Sequence, residues 1–276
     1  MDEVSRSLRE HYAGPGLVER LRAALATIGP EDQPLTPRQI GAIDQFHTRG
    51  HAATAELAEL AGIGPDDRVL DLGCGIGGPA RMLAHSRGCR VTGVDLSEGF
   101  IEAARYLSLR TGQHEHVEFH CASALALGFA DQSFDVVLLQ HVAMNIADRP
   151  RLYREIRRVL ARGGRFATYD VVRGGAEPCY PAPWAHDPVD SFLLDPAATR
   201  EAIEAAGLRV VAWRDDTPAA REWAAQLKAA AAARSGPSTP GLDLVMGPDF
   251  RVMAGNHARN LLEGRVGVLM AVFEAS

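Results

Sequence analysis

The run Val69-Leu-Asp-Leu-Gly-Cys-Gly-Ile-Gly-Gly78 constrains this chain more than any other stretch. An apolar strand ends at Asp71, and glycines at 73, 75, 77 and 78 then let the backbone turn tightly and bring its N–H groups against a ligand at a helix N-terminus. On this reading, a side chain at any of those positions would occupy the ligand's space. A second apolar run, Arg90-Val-Thr-Gly-Val-Asp95, follows one helix-length later. Asp95 stands about 20 residues beyond the first loop glycine, where a carboxylate accepts two hydrogen bonds from a ribose diol. The pattern describes a site for a nucleoside-bearing cofactor.

Gly73-x-Gly75-x-x-Gly78 also satisfies the dinucleotide fingerprint, so a nicotinamide cofactor must be weighed. Asp71 opposes it: a negative charge at the mouth of the loop repels a pyrophosphate but suits the α-ammonium of a methionine moiety. Leu96-Ser97-Glu98 follows the ribose acid, and Phe134-Asp-Val-Val-Leu-Leu139 supplies another apolar strand. Here the chain resembles the class I S-adenosylmethionine-dependent methyltransferases, whose strand-loop motif reads much like Leu70-Asp-Leu-Gly-Cys-Gly-Ile-Gly-Gly78. The resemblance runs from about Ala53 to Asp215 and, more loosely, to the C-terminus. It implies S-adenosylmethionine as cofactor and S-adenosylhomocysteine as product. Asp71, Gly73, Gly75, Gly77, Asp95 and Leu96 would hold the cofactor.

Strand and helix signals alternate from Arg68 onward, as in a parallel sheet covered by helices on both faces. Strands are predicted at 68–72, 90–94, 117–121, 134–139, 165–171, 209–214 and 265–273, and helices near 77–87, 98–111, 149–160 and 196–206. The fold class is therefore α/β: a Rossmann-like, seven-stranded, mostly parallel sheet with a helical cap, the strand number matching the resemblance. Residues 1–62 are read as an N-terminal helical cap and 63–276 as the methyltransferase domain, with cap insertions at 172–194 and 216–263. In the first segment Leu17, Leu21, Leu25 and Ile28 stripe one helix, and Thr36-Pro-Arg-Gln39 is a capping box flanked by the staple pair Leu35 and Ile40. The third is broken at Ser235-Gly-Pro-Ser-Thr-Pro-Gly241. Ligands of α/β sheets bind beyond the carboxyl ends of the strands, the edge these segments could roof.

Composition narrows the partners. A formal net charge of −6 opposes a phosphate-tracking surface, so a small-molecule acceptor is expected and nucleic acid is not. No stretch reaches the ~20 continuous apolar residues of a membrane span, and Met1-Asp-Glu-Val-Ser lacks a leader's basic and apolar regions, so a cytoplasmic protein is expected. Cys74, Cys89, Cys121 and Cys179 form no Cys-x-x-Cys pair; no metal site is expected, and Cys89 and Cys121 are read as core.

Methyl transfer from a sulfonium asks mainly for alignment and exclusion of water; a general base is needed only when the acceptor atom begins protonated. His141, just after the fourth strand in Leu139-Gln-His-Val-Ala-Met-Asn145, is the candidate base. Sterol and tocopherol methyltransferases resemble this chain in the loop exit Gly-Gly-Pro-Ala-Arg81 but carry an acid at the place of His141, as do the dimethylglycine-type N-methyltransferases. Gln140 is a candidate for the cofactor. Ser123 and Ala124, in His120-Cys-Ala-Ser-Ala124, are placed at the adenine; an Asp is usual where Ser123 stands, so the hydrogen bond there is neutral and weaker. Phe46 and His47, in Asp44-Gln-Phe-His47-Thr-Arg-Gly50, could close over the sulfonium through cation–π attraction and a hydrogen bond; the same pair would equally serve as a buried connector. Tyr180 and Trp184, with Asn256, His257 and Asn260 on one helix face, are the acceptor-side candidates.

Three functions follow. The leading one is methyl transfer to oxygen or nitrogen of a small molecule. C-methylation of an isoprenoid or an enolisable acid uses the same cofactor site under a different lid. A non-catalytic S-adenosylmethionine-binding protein would need no role for His141.

Overall fold

The computed structural model describes residues 16–233 and 241–276. The N-terminal stretch read for a leader, and most of the break at 235–241, lie outside the described residues. Among the described residues three helices precede the sheet: α1 (Leu17–Leu25), α2 (Pro37–Ile40) and α3 (His51–Leu60). The chain then runs β1 (Arg68–Leu72), α4 (Gly78–Arg87), β2 (Arg90–Asp95), α5 (Glu98–Arg110), β3 (Val117–Cys121), β4 (Phe134–Gln140), α6 (Arg149–Val159) and β5 (Leu160–Arg173). It ends with α7 (Pro196–Glu204), β6 (Leu208–Asp215), α8 (Thr217–Ala233), α9 (Asp243–Met246), α10 (Phe250–Leu262) and β7 (Val266–Ala275).

The seven strands lie in the order β3-β2-β1-β4-β5-β7-β6. All neighbours are parallel except at β7, which runs antiparallel to both β5 and β6. Strand order reverses between β1 and β4, which opens a crevice at their carboxyl ends. Near-continuous apolar runs form β1 and β4, which are covered on both faces, whereas the edge strands β3 and β6 carry exposed residues between buried ones. Val69, Val136 and Leu138 join Leu57 of α3 and Leu83 of α4 in one core. Leu70, Val137 and Leu139 point the other way, into a core with Leu152 and Ile156 of α6 and Ile203 of α7.

Helix ends follow local chemistry. Asp195 Oδ1 accepts from the Ala198 N–H at 2.8 Å, with Pro196 in the first turn of α7, and Ser97 Oγ accepts from the Phe100 N–H at 3.3 Å at the start of α5. The Thr36 N–H donates to Gln39 Oε1 at 2.8 Å, and Leu35 and Ile40 are buried together as a staple. Leu17, Leu21 and Leu25 of α1 pack on Phe100, Ala103 and Leu107 of α5, each leucine contributing about 1.5–3 kcal/mol of burial at most. Ile28 packs partly against them from beyond the helix end.

Only β1 and β3 keep the expected bounds; most other strand ends differ by one or two residues, and β5 starts earlier still. β4 continues to Gln140, and β5 runs from Leu160 to Arg173, two residues into the second expected cap segment. Antiparallel pairing with β7 holds that extension, through to Arg173 opposite Val266. No helix among the described residues is long and apolar enough to cross a membrane. No disulfide joins the four cysteines; Cys89 is fully buried, whereas Cys121 is only half-buried.

Candidate active site

A cavity of about 1300 Å³ opens at the carboxyl ends of β1, β2 and β4, roofed by residues that precede α3 and by α8 and α10. Small-molecule pockets commonly measure ~300–1,000 Å³, so there is room here for a cofactor and a second molecule.

One half is built on the glycine loop. The Gly73 and Cys74 N–H groups both donate to the Val94 carbonyl, at 2.7 and 3.0 Å, which fixes the loop against β2. The Gly75 N–H donates to Asp95 Oδ2 and the Ser97 N–H to Asp95 Oδ1, each at 2.9 Å. The carboxylate is thereby aimed along the cavity edge with lone pairs to spare. Asp71 is buried, its Oδ2 has no partner, and burial together with the negative charge of Asp95 pushes its carboxyl up to about 7. A ligand ammonium would relieve that strain.

The glycines divide into two kinds. Gly73 and Gly75 border the cavity. Gly77 does not: its φ is +78°, and a Cβ there would lie 2.6 Å from Phe119 Cζ. A Cβ on Gly78 would lie 1.8 Å from the Asp44 carbonyl oxygen. The expectation that each glycine clears space for the ligand is corrected here: protein packs against Gly77 and Gly78, and also against Gly73, where a Cβ would lie 2.3 Å from Val142 Cγ2 although the residue borders the cavity.

Leu96, Ser123 and Ala124 border the cavity beside Asp95. Ser123 Oγ accepts from the Leu125 N–H at 3.2 Å, a bond within its own turn. On the roof, Phe46 meets Phe100 edge-on at 5.6 Å and covers Gly75. His47 is buried, with Nε2 3.0 Å from the Gly50 carbonyl and from Thr54 Oγ1 and 3.4 Å from Gln140 Nε2. Burial holds its imidazole down to about 4.

The other half is an imidazole cluster against an apolar wall. His141 leaves β4 at φ +54°, a left-handed backbone costing about 1–2 kcal/mol, while its N–H donates to the Tyr169 carbonyl at 2.8 Å. Its Nε2 is buried without a partner. Burial first, then the neighbouring His47 and His257, holds this imidazole well below 6.5. His257 Nε2 is 2.9 Å from Thr48 Oγ1, and burial holds that ring down to about 4. His47 and His257 meet His141 edge-on at 6.0 and 6.3 Å. Trp184, Trp223, Met246 and Phe250 line the wall opposite.

Tyr180, Asn256 and Asn260 do not border the cavity. Asn260 Nδ2 donates to the Cys179 carbonyl at 3.0 Å and its Oδ1 accepts from the Cys179 N–H at 2.7 Å, while Asn256 Nδ2 donates to the Pro181 carbonyl at 2.9 Å. Both asparagines therefore fasten the loop after β5 to α10, and Tyr180 lies edge-on to Trp184 at 6.5 Å. These three, expected at the acceptor, stand behind the cavity wall. Of that group, Trp184 and His257 reach the cavity.

Sequence reasoning passed over Gln45, Arg49, Tyr169 and Asp216. The Tyr169 hydroxyl donates to Asp216 Oδ2 at 3.0 Å, and Arg49 Nη1 donates to the same oxygen at 2.8 Å. Polar Thr168-Tyr-Asp170 inside an otherwise apolar strand was the available signal. Among the described residues no group of three His, Cys, Asp or Glu side chains is arranged to hold a metal.

Residues 70–168 match the family model described as a methyltransferase domain. That stretch, from β1 into β5, is similar to a methyltransferase domain. Methyltransferase GfsG of Streptomyces halstedii is 37% identical over 133 residues, covering 48% of each chain. Sarcosine/dimethylglycine N-methyltransferase of Halorhodospira halochloris is 33% identical over 159 residues, covering 56% of each. The match thus spans about half the length of these curated relatives. Among solved structures, geranyl diphosphate C-methyltransferase from Streptomyces coelicolor A3(2), in complex with Mg2+, geranyl diphosphate and S-adenosyl-L-homocysteine, superposes with a TM-score of 0.69 at 20% identity. The superposition covers 100% of this chain and 99% of that one, and it establishes the fold around the methyltransferase domain.

Proposed function

We propose that this protein transfers a methyl group from S-adenosylmethionine to an oxygen of a small, largely apolar acceptor. The cofactor half of the cavity supports the donor: Asp95 for a ribose diol, Asp71 for an ammonium, and Leu96, Ser123 and Ala124 beside the base. When bound, S-adenosylmethionine supplies an electrophilic methyl on a sulfonium. The residues of the chain then hold the acceptor in line and exclude water, which accounts for about 7–11 kcal/mol of barrier lowering.

The observation that carries the oxygen reading is the unpartnered Nε2 of His141 among neutral imidazoles. A neutral imidazole accepts a hydrogen bond from an acceptor hydroxyl and takes its proton as the methyl arrives. A free carboxylate there would favour a cationic amine or a carbocation instead. The two carboxylates bordering this half are engaged: Glu263 pairs with Arg259 and Arg265, and Asp148 caps α6 through the Arg151 N–H. The apolar wall of Trp184, Trp223, Met246 and Phe250 favours an acceptor with an apolar body. The described residues of the N-terminal segment, the loop after β5 and the described residues between β6 and β7 serve as the cap over the cavity, the net charge of −6 disfavours a nucleic-acid acceptor, and the setting is cytoplasmic.

Incubation with S-adenosylmethionine and a panel of hydroxylated apolar compounds, read by mass spectrometry and by NMR of the product, tests the proposal. Methyl ethers formed together with S-adenosylhomocysteine are expected. Methylation at nitrogen or carbon refutes the oxygen assignment. Cofactor binding without turnover of any acceptor favours the non-catalytic reading.

A further inference from the structure

His257 is nine-tenths buried and borders the cavity, yet among the described residues its Nδ1 has no hydrogen-bond partner. The ring is held from two sides. Thr48 Oγ1 lies 2.9 Å from Nε2 on the roof side, and Trp184 meets the imidazole edge-on at 5.6 Å. The helix α10 that carries it is fastened as well, by Asn256 on the Pro181 carbonyl and by Asn260 on Cys179. Turning Nδ1 elsewhere would therefore give up the bond to Thr48. A second bare nitrogen stands beside it: the unpartnered Nε2 of His141, on a ring whose centroid is 6.3 Å from that of His257 with the planes at 79°. A buried nitrogen left unpaired costs roughly as much as a lost hydrogen bond, so two of them on adjoining rings at one cavity call for two polar atoms of a ligand.

With Nε2 committed to Thr48, Nδ1 of a neutral His257 presents either an N–H or a lone pair, depending on the tautomer, and a hydroxyl satisfies both. Rings in edge-on contact suit hydroxyls on adjacent carbons, not hydroxyls at opposite ends of a body. We infer that the acceptor carries two hydroxyls on adjacent carbons of its apolar body, one facing His141 and the other facing His257. The inference rests on the oxygen reading above and adds a substrate class to it. The hydroxyl at His141 gives its proton to Nε2 and takes the methyl, its O–C bond forming as the S–C bond breaks, so the positive charge passes from the sulfonium to the imidazole. The hydroxyl at His257 keeps its proton, and the product is a monomethyl ether with a free hydroxyl beside it.

Turnover of 2,3-dihydroxynaphthalene, its 2,7-isomer and 2-naphthol with S-adenosylmethionine separates the possibilities, the 2,7-isomer controlling for the mere presence of two hydroxyls. In the wild type kcat/KM for the 2,3-diol should exceed that of both others by roughly tenfold or more, because only it answers the second buried nitrogen. His257→Gln carries its carboxamide to the place of Nε2 and keeps the tie to Thr48, so this variant should lose the preference. His257→Asn puts a polar atom at the place of Nδ1 and should retain part of it. Calorimetric binding of S-adenosylhomocysteine checks that both variants are folded. Equal kcat/KM for the 2,3-diol and 2-naphthol in the wild type, or a preference that survives in full in His257→Gln, overturns the assignment and leaves the oxygen reading intact. Failure of all three compounds to give a methyl ether overturns the oxygen reading together with this one.

Discussion

The imidazole of His141 lies parallel to the ring of Tyr169, with centroids 5.4 Å apart and planes 15° apart, and the Tyr169 hydroxyl is anchored on Asp216. Asp216, the first residue after β6, also binds Arg49 from the roof segment. One buried carboxylate thus ties the floor under His141 to the segment that covers the cofactor half. Removing the hydroxyl in Tyr169→Phe should lower stability by about 1–3 kcal/mol. Asp216→Ala strands both the phenol and part of the Arg49 guanidinium and should cost about 3 kcal/mol or more. Urea unfolding measures both, and an Asp216→Ala protein as stable as wild type would show that this tie carries no weight.

His141→Ala should leave the fold and S-adenosylhomocysteine binding close to wild type, because Nε2 makes no bond within the protein. Transfer to a hydroxyl acceptor should slow by ~10²–10⁴-fold. A variant that turns over at a near-normal rate would leave alignment alone to drive the reaction.

Gly77→Ala should destabilise the protein by about 2–5 kcal/mol, adding the left-handed backbone penalty to the overlap with Phe119. Whatever fraction folds should bind S-adenosylhomocysteine normally, since Gly77 lies outside the cavity. Thermal melts with and without ligand read both effects; a stable variant with weakened binding would return Gly77 to the ligand site.

Apolar runs mark the inner strands, which are covered on both faces, while the edge strands β3 and β6 carry exposed residues between buried ones. The end of β5 is not local information: pairing with β7, almost a hundred residues later, carries it to Arg173. The glycine loop is legible as a loop. Whether an absent Cβ makes way for ligand or for Phe119 depends on tertiary packing, which the spacing of the glycines does not carry. Helical spacing puts Asn256, His257 and Asn260 on one face but leaves open that the asparagines meet Cys179 and Pro181 while the histidine meets the cavity. Gln45 is an ordinary polar residue in the sequence; only its burial without a partner marks it.

Acid should act on stability through opposed groups. His47 and His257 are held near 4 against 6.5 for a solvated imidazole, so the unfolded chain binds more protons between those values. Their contribution is complete above 6.5 and is lost as pH falls toward 4, by about 1.4 kcal/mol per pH unit for each. Asp71 and Asp170, pushed up from 3.8 to about 7 by burial, work in the opposite sense: their contribution is complete below 3.8 and is lost as pH rises through 7. Asp170→Asn removes one opposing group, so its stability should fall more steeply on acidification than that of wild type, by about 1.4 kcal/mol per unit between pH 6.5 and 5. Parallel slopes in the two proteins would mean that Asp170 is ionised like a solvated carboxylate.

Calorimetric titration of S-adenosylhomocysteine into the wild type and Asp95→Ala, with NAD as competitor, bears most directly on the cofactor site. Asp95 offers its carboxylate to the ribose and also holds the Gly75 and Ser97 N–H groups. Hydrogen bonds to a charged group are worth about 1.5–3 kcal/mol each, so the variant should bind at least roughly tenfold more weakly, and NAD should not displace the ligand from wild type. Equal affinity in the two proteins, or tighter binding of NAD, would contradict the assignment of this cavity to S-adenosylmethionine.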